Sequence, residues 1–248
     1  MTAPDLDGAP MFLVDEVPDV VELLVDGSEG RHAVDVLRLT SGERVRVGDG
    51  RGVVAEGSVL ATGSSGLRVR VEVRHEVPAP SPELVLVQAL PKGDRGPLAV
   101  ELATELGVDR IVPWSASRCV TRWRDDRADK GVAKWRATAR TAAKQSRRAR
   151  LPEVTELMTT REVCGILGDA DLAVVLHEQA GRRLAGLDVP AHGTVVVVVG
   201  PEGGLSDGEI VAFRAAGAHA VRLGPEVLRT STAGAAALAA LSVKTRWI

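Results

Sequence analysis

Tyrosine is absent from this chain, and the other aromatics are few: four Trp and two Phe. So few rings exclude a broad stacking platform for nucleobases and require a core built from Val, Leu and Ala. Only two cysteines occur, Cys119 and Cys164, without C-x-x-C spacing. That excludes a disulfide framework and a thiolate zinc site and leaves two reduced thiols. There is no G-x-x-x-x-G-K-[ST], no G-x-G-x-x-G after a strand and no G-x-S-x-G. P-loop NTPases, dinucleotide oxidoreductases and serine hydrolases therefore lack their signatures here. His177-Glu178 opens like a zinc-protease motif, but Gly181 stands where the second His is needed, so no metal is expected. No apolar run approaches the about 20 residues of a membrane span. The first residues, Met1-Thr-Ala-Pro-Asp-Leu-Asp7, have neither the basic nor the apolar region of a secretory leader. A cytoplasmic protein with no membrane partner is expected.

What is present is an ordinary globular composition with uneven charge. The 248 residues are 45% apolar and 26% charged, with a formal net charge of -2. Between Arg118 and Arg150, twelve Lys/Arg face three Asp, a local charge of +9 that leaves -11 for the remainder. A basic block on an otherwise acidic body points to a face that binds a polyanion.

Patterning divides the chain. Glu43–Val47, Val53–Val59 and Leu67–Val73 alternate apolar and polar residues as half-buried strands, Gly48-Asp49-Gly50 supplies a turn, and His32–Leu39 reads as a short helix. Residues 1–76 are thus expected as a small β domain. Pro78, Pro80 and Pro82 make 77–82 a linker, because three prolines in five residues fit neither a helix nor a central strand. Over 83–248, strands at Leu84–Ala89, Arg110–Pro113, Leu172–His177, Thr194–Val199 and Ala220–Leu223 alternate with helices at Leu98–Leu106, Ala128–Gln145, Asp207–Ala216 and Ala233–Val243. The unbroken Val195–Val199 run fits a strand buried on both faces of a parallel sheet, so this part is an α/β domain. Ser206-Asp-Gly-Glu209 has capping-box spacing, and Thr230-Ser-Thr232 offers caps to the last helix.

Two loops stand out. Gly200-Pro-Glu-Gly-Gly-Leu-Ser206 follows the valine strand, and Leu223-Gly-Pro-Glu-Val-Leu-Arg-Thr230 also joins a strand to a helix. Ligands of open α/β sheets lie beyond the carboxyl ends of strands, and glycines let backbone approach them closely. Together the loops suit a neutral heterocycle such as adenine. With Gln88-Ala-Leu-Pro-Lys-Gly93, Thr104-Glu-Leu-Gly-Val108, Ser117-Arg-Cys119, Gln145-Ser-Arg-Arg148, Leu151-Pro-Glu153, Leu176-His-Glu178 and, upstream, His32-Ala-Val-Asp-Val-Leu-Arg38, they occur in an order that resembles the RsmE family of 16S rRNA (uracil-N3) methyltransferases, of the SPOUT class.

The resemblance implies an N-terminal PUA-like β-barrel and a C-terminal α/β domain tied in a deep trefoil knot. It also implies S-adenosylmethionine (SAM) as cofactor, 16S rRNA of the small ribosomal subunit as substrate, and a homodimer through the C-terminal domain. On it, Leu176, His177, Gly200, Pro201, Glu202, Gly203, Leu223, Gly224 and Leu228 are the cofactor-binding candidates, and Arg229 and Glu202 the catalytic ones. Arg38 and Arg118 are candidates for RNA contact. Three positions depart from the family pattern: Leu102 replaces a usual Lys, Lys144 a Glu and Ser231 a Glu, either as one rewired polar network or as unrelated changes.

Arg136, Arg140 and Lys144 recur every four residues on one helix face, and with Gln145, Arg147 and Arg148 they are expected to meet phosphates, which supply affinity rather than base choice. Trp114, Trp123 and Trp135 are expected in packing, and His177 as a satisfied strand-end residue. Glu202 can act as base or fix its loop by accepting backbone N–H groups. A SPOUT enzyme acting on tRNA and a non-catalytic ribosome-assembly protein are the competing readings.

Overall fold

Alternation and β-branched residues set the first of two units. The computed structural model describes residues 8–124 and 126–247. One unit runs to Ala79 and also takes in Ala143–Leu151; the other comprises Pro80–Ala142 and Pro152–Ile248. A contiguous division at the proline run does not anticipate the excursion of 143–151 into the first unit.

In the first unit, strands β1 (Met11–Leu13), β2 (Glu22–Val25), β3 (Arg44–Gly48), β4 (Val53–Gly63) and β5 (Gly66–Glu76) form one sheet in the order β1-β3-β4-β5-β2. The β1–β3 pair is parallel and the other pairs are antiparallel. The core face carries Val45, Val47, Val59, Leu67 and Val69, the inward members of the alternating runs. Strands β1 and β2 escape sequence reading because three or four residues give too few alternations to count. Between β2 and β3, helix α1 (Gly27–Arg31) continues into a wider turn over His32–Val36, where Leu37 N–H bonds the His32 carbonyl at 3.0 Å. The expected short helix is therefore present with an i→i+5 bond, a form enriched at functional sites.

Residues 143–151 join this unit by three kinds of contact. Gly52 N–H bonds the Ala149 carbonyl at 3.1 Å and Leu151 N–H the Gly50 carbonyl at 2.8 Å. Arg150 Nε donates to the Val77 carbonyl at 2.9 Å, while Ala149 and Leu151 pack on Met11, Leu13 and Val54. Lys144 Nζ reaches both Glu29 oxygens, at 2.8 and 2.7 Å, with both side chains largely buried.

The second unit is a six-stranded, wholly parallel sheet. Its strands are β6 (Glu83–Ala89), β7 (Arg110–Trp114), β8 (Glu153–Val154), β9 (Leu172–Leu176), β10 (Thr194–Val199) and β11 (His219–Val221), in the order β11-β9-β10-β6-β7-β8. Helices α2 (Arg95–Glu105), α3 (Asp126–Gln145), α4 (Thr160–Gly168), α5 (Asp207–Ala215) and α6 (Thr230–Thr245) connect or follow them. Val195–Val199 are all buried, as strands covered on both faces must be. Trp114 packs edge-on against Phe213 and Trp135 against Trp123, which confirms packing roles for these rings. Helix α4 is an element beyond the sequence expectations, although its signal is legible: Thr159 and Glu162 form a reciprocal capping box ahead of Val163 and Leu167.

The small residues of α6 lie against the sheet. A Cβ at Gly234 would come within 3.0 Å of Leu86, and Ala237 is fully buried. The expected caps of α6 are corrected: its N-cap is Arg229, without a side-chain cap bond, and the Thr230 hydroxyl is spent on Gly200.

The Lys144–Glu29 pair is testable. Lys144→Glu sets two carboxylates together and is expected to cost about 2 kcal/mol, between an exposed and a buried pair. Glu29→Lys combined with Lys144→Glu should recover most of that in urea denaturation. Full stability of the single variant would contradict this role.

Candidate functional site

Because β9, β10 and β11 are parallel neighbours, their carboxyl ends at Leu176, Val199 and Val221 open on the same side. The loops that follow them enclose a cleft of about 620 Å³. Every residue expected at the cofactor lines it, from Leu176 and His177 through Gly200–Gly203 to Leu223, Gly224 and Leu228. So do both catalytic candidates, Glu202 and Arg229. The structure thus brings together residues more than fifty positions apart.

The glycine loop is held from several sides. The Gly200 carbonyl accepts the Thr230 hydroxyl at 2.8 Å, and the Pro201 carbonyl accepts Gly204 N–H at 2.9 Å. Gly204 takes φ +71°, a left-handed conformation that favours glycine. Arg118 Nη1 donates to the Leu205 carbonyl at 3.0 Å and the Gly203 carbonyl at 3.3 Å. A Cβ at Gly203 would lie 3.2 Å from the Arg118 backbone carbonyl oxygen, so glycine permits this close approach. Glu202 Oε1 accepts Lys92 N–H at 3.1 Å, a contact that fixes the loop. His177 Nδ1 accepts Gln179 N–H at 3.2 Å, and the His177 backbone N–H donates to the Val221 carbonyl at 2.8 Å, as the end of a strand provides.

Helix α5 starts at the end of this loop through the expected capping box: Glu209 N–H donates to the Ser206 hydroxyl at 3.3 Å. Glu209 does more than cap. It is 4% exposed and its carboxylate accepts Ser206 N–H at 2.8 Å, the Ser206 hydroxyl at 2.9 Å and Ser117 N–H at 2.7 Å. Burial opposes its ionisation, but the Ser117 and Ser206 donors outweigh burial and hold the carboxyl below its ordinary range. Glu209 thereby ties the Ser117-Arg118-Cys119 segment to the glycine loop. Sequence reading recognised it only as a cap. Burial pushes the Cys119 thiol up, consistent with an inert, reduced cysteine.

Among the basic candidates, Arg136 and Lys144 have partners within the protein. Arg136 donates to the Val154 carbonyl at 3.0 Å and to Glu156 at 2.7 Å, and Lys144 is committed to Glu29. Their helical spacing is right; the Lys144 charge is largely buried against Glu29, while Arg136 keeps its guanidinium at the surface in an exposed pair with Glu156. Arg118 is likewise engaged with the glycine loop. The partner of Lys144 also removes the idea of one network with Leu102 and Ser231, since its ammonium serves Glu29. Arg38, Arg140, Gln145 and Arg147 are exposed and Arg148 is half-buried. Among the described residues, the two non-glycines in left-handed backbone are Arg38 (φ 54°) and Arg147 (φ 55°), both in the first unit. That conformation costs a residue with a Cβ roughly 1–2 kcal/mol, which marks both arginines as held in place.

Comparison with known proteins gives the site its context. A model described as an RNA methyltransferase PUA domain matches residues 25–72, and one described as an RNA methyltransferase domain matches residues 78–242. A ribosomal RNA small subunit methyltransferase E from Mycobacterium bovis is 47% identical over 245 residues, 96% of this chain and 94% of its own. The chain belongs to the ribosomal RNA small subunit methyltransferase E family. The Bacillus subtilis member of this family is 27% identical over 93% of each chain. The crystal structure of the Neisseria gonorrhoeae member, bound to S-adenosyl methionine, superposes with a TM-score of 0.83 at 28% identity, covering 96% of this chain and 98% of its own. A Legionella pneumophila methyltransferase in complex with SAM superposes at 0.84, with 27% identity and the same coverage. Among the described residues, no helix of this family member is long and apolar enough to cross a membrane.

Replacement of Glu209 by Gln tests the hub. A carboxyl whose folded pKa is depressed contributes stability that is present above its unfolded value, about 4.3, and lost as pH falls through the folded one. Glu209→Gln should therefore be less stable than wild type at pH 7, by about 2 kcal/mol. The gap should close on acidification below about pH 4. A gap independent of pH in denaturation curves would contradict the ionised hub.

Proposed function

We propose that the cleft binds SAM and that the chain transfers its methyl group to N3 of a uridine in 16S rRNA of the small ribosomal subunit. The observation that carries this reading is the convergence of three parallel-strand loops, with all the cofactor candidates, on one cleft. The residues present fit such a ligand. Leu176, Val199, Leu205 and Leu223 give apolar walls, backbone of the loops gives donors and acceptors, and a Cβ at Gly200 would crowd Leu205 at 3.1 Å. Leu176, His177, Gly200, Pro201, Gly203, Leu223, Gly224 and Leu228 would hold it.

SAM supplies an electrophilic methyl group on a sulfonium. The chain has to orient the uracil ring and deal with the weakly acidic N3 proton. Glu202 first orders its loop by accepting Lys92 N–H through Oε1, and its second oxygen is available to take the proton. Arg229, exposed at the start of α6, stabilises negative charge on the ring as that proton leaves. N3 lies on the pairing edge, so the target uridine is unpaired or flipped out. Arg38, Arg140, Gln145, Arg147 and Arg148 contact rRNA, whereas Arg118, Arg136 and Lys144 serve it by bracing the elements around them.

The same reading carries the rest of the family's architecture: closure of the N-terminal sheet into a PUA-like barrel, a deep trefoil knot in the α/β part, a homodimer through that part, and work in the cytoplasm. Of the division into 1–76, 77–82 and 83–248, it keeps the proline linker and assigns 143–151 to the RNA-binding unit.

Labelled SAM, small ribosomal subunits lacking native modification and primer extension test it. A single strong stop at one 16S uridine is expected. Reversal of Arg140 and Arg147 to Glu should weaken subunit binding at least about tenfold while leaving SAM affinity unchanged. Transfer to tRNA would overturn the substrate, binding without transfer would favour an assembly factor, and equal loss of both affinities in the variant would overturn the RNA contacts.

A further inference from the structure

Gln88 is a polar residue near the end of an apolar strand: Leu84–Val87 precede it in β6, and it is completely buried. It does not line the cleft, yet two hydrogen bonds connect it to the cleft wall. Gln88 Nε2 donates to Thr230 Oγ1 at 3.0 Å, and Thr230 Oγ1 donates to the Gly200 carbonyl at 2.8 Å. A hydroxyl carries one proton. Because that of Thr230 is spent on Gly200, Thr230 meets Gln88 only as an acceptor, and the amide nitrogen must face it. The second amide proton goes to the Ala89 carbonyl at 3.1 Å. Turning the amide over would set its oxygen against a hydroxyl lone pair and a carbonyl together. The orientation that satisfies both bonds leaves Gln88 Oε1 buried without a partner among the described residues. Such an orphan is costly, and a leucine would occupy similar volume without it. The amide is retained for what its nitrogen holds.

What it holds is the junction of the two loops that make the cleft. Gly200 opens one; Thr230, at the first turn of α6, ends the other. The Gly200 carbonyl belongs to the peptide bond with Pro201, which has no N–H, so this peptide plane can be held only through its oxygen. Thr230 provides that hold, and register places Gln88 beside it: Gln88 pairs with Val199, the residue before Gly200.

We propose that Gln88 and Thr230 are positioning residues whose relay to Gly200 sets the separation of the two loops, and with it the affinity of the cleft for the methyl donor. Gln88 acts from the sheet interior without touching the ligand. This rests on the reading of the cleft as a SAM site.

The test compares wild type, Gln88→Leu, Thr230→Val, Thr230→Ser and the Gln88→Leu/Thr230→Val double variant by SAM calorimetry, steady-state kinetics and thermal melting. Gln88→Leu and Thr230→Val should each weaken SAM binding and raise its KM by about tenfold. Melting of Gln88→Leu should stay close to wild type, since the orphan oxygen is lost together with the two amide bonds. Thr230→Ser keeps the hydroxyl and should bind within about twofold of wild type. The double variant should be no weaker than Thr230→Val alone, because a relay is broken only once. Wild-type SAM affinity in Gln88→Leu, or additive losses in the double variant, would overturn the relay. The Thr230 pair carries the same comparison if Gln88→Leu does not fold. Absence of SAM binding by wild type would overturn the cofactor reading, and the proposal with it.

Discussion

Burial of strand β10 on both faces is the constraint from which the site follows. Five consecutive valines cannot leave one face in water, so the strand must lie inside a sheet with helices on either side. It lies between β9 and β6, all parallel, and parallel strands present their carboxyl ends together. The loops after β9, β10 and β11 therefore meet without any residue being selected for the meeting. Glycine then allows the β10 loop to turn within reach of Arg118 and Leu205. The cleft is thus a consequence of an apolar strand, and its chemistry is added by a few polar residues at the edge.

Those polar residues work mainly on each other. Glu209 gathers donors from Ser117 and Ser206, Arg118 donates to the loop carbonyls, Thr230 holds Gly200 and Glu202 holds Lys92. Glu209 is buried and satisfied by hydrogen bonds rather than by solvent, while Arg118 and Glu202 are exposed and add hydrogen bonds from the surface, so the loops are tied together before any ligand arrives. A cleft that is already in shape loses less conformational entropy on binding. Membership of the methyltransferase E family is consistent with a site of this kind, since the Neisseria gonorrhoeae relative was crystallised with S-adenosyl methionine.

Periodic and punctuated features were legible in the sequence. The valine strand, the amphipathic α3 and the Ser206 capping box are local patterns, and each appears where the residues place it. The two glycine-rich loops were legible as a pair because both follow short strands. What could not be read was partnership across long separations. Lys144 sits at the spacing of an RNA-facing stripe, yet its ammonium meets Glu29, 115 positions earlier. Arg136 likewise answers Val154 and Glu156. Charge runs state which residues carry charge and leave open what each charge meets. Gln88 and Thr230 were invisible for the same reason: one polar residue in a strand and one threonine in a Thr-Ser-Thr run have no local signature of a contact made across 142 positions. The excursion of 143–151 into the first unit is a tertiary fact of this sort as well.

The central claim is that the carboxyl-end loops of β9, β10 and β11 are where the methyl donor sits. Amide hydrogen exchange of the full chain with and without SAM tests it most directly, because it reports on every loop at once. Protection concentrated in Leu176–Gln179, Gly200–Leu205 and Leu223–Thr230, with the first unit unchanged, is the result this account predicts. Protection elsewhere, or none at saturating SAM, would contradict it.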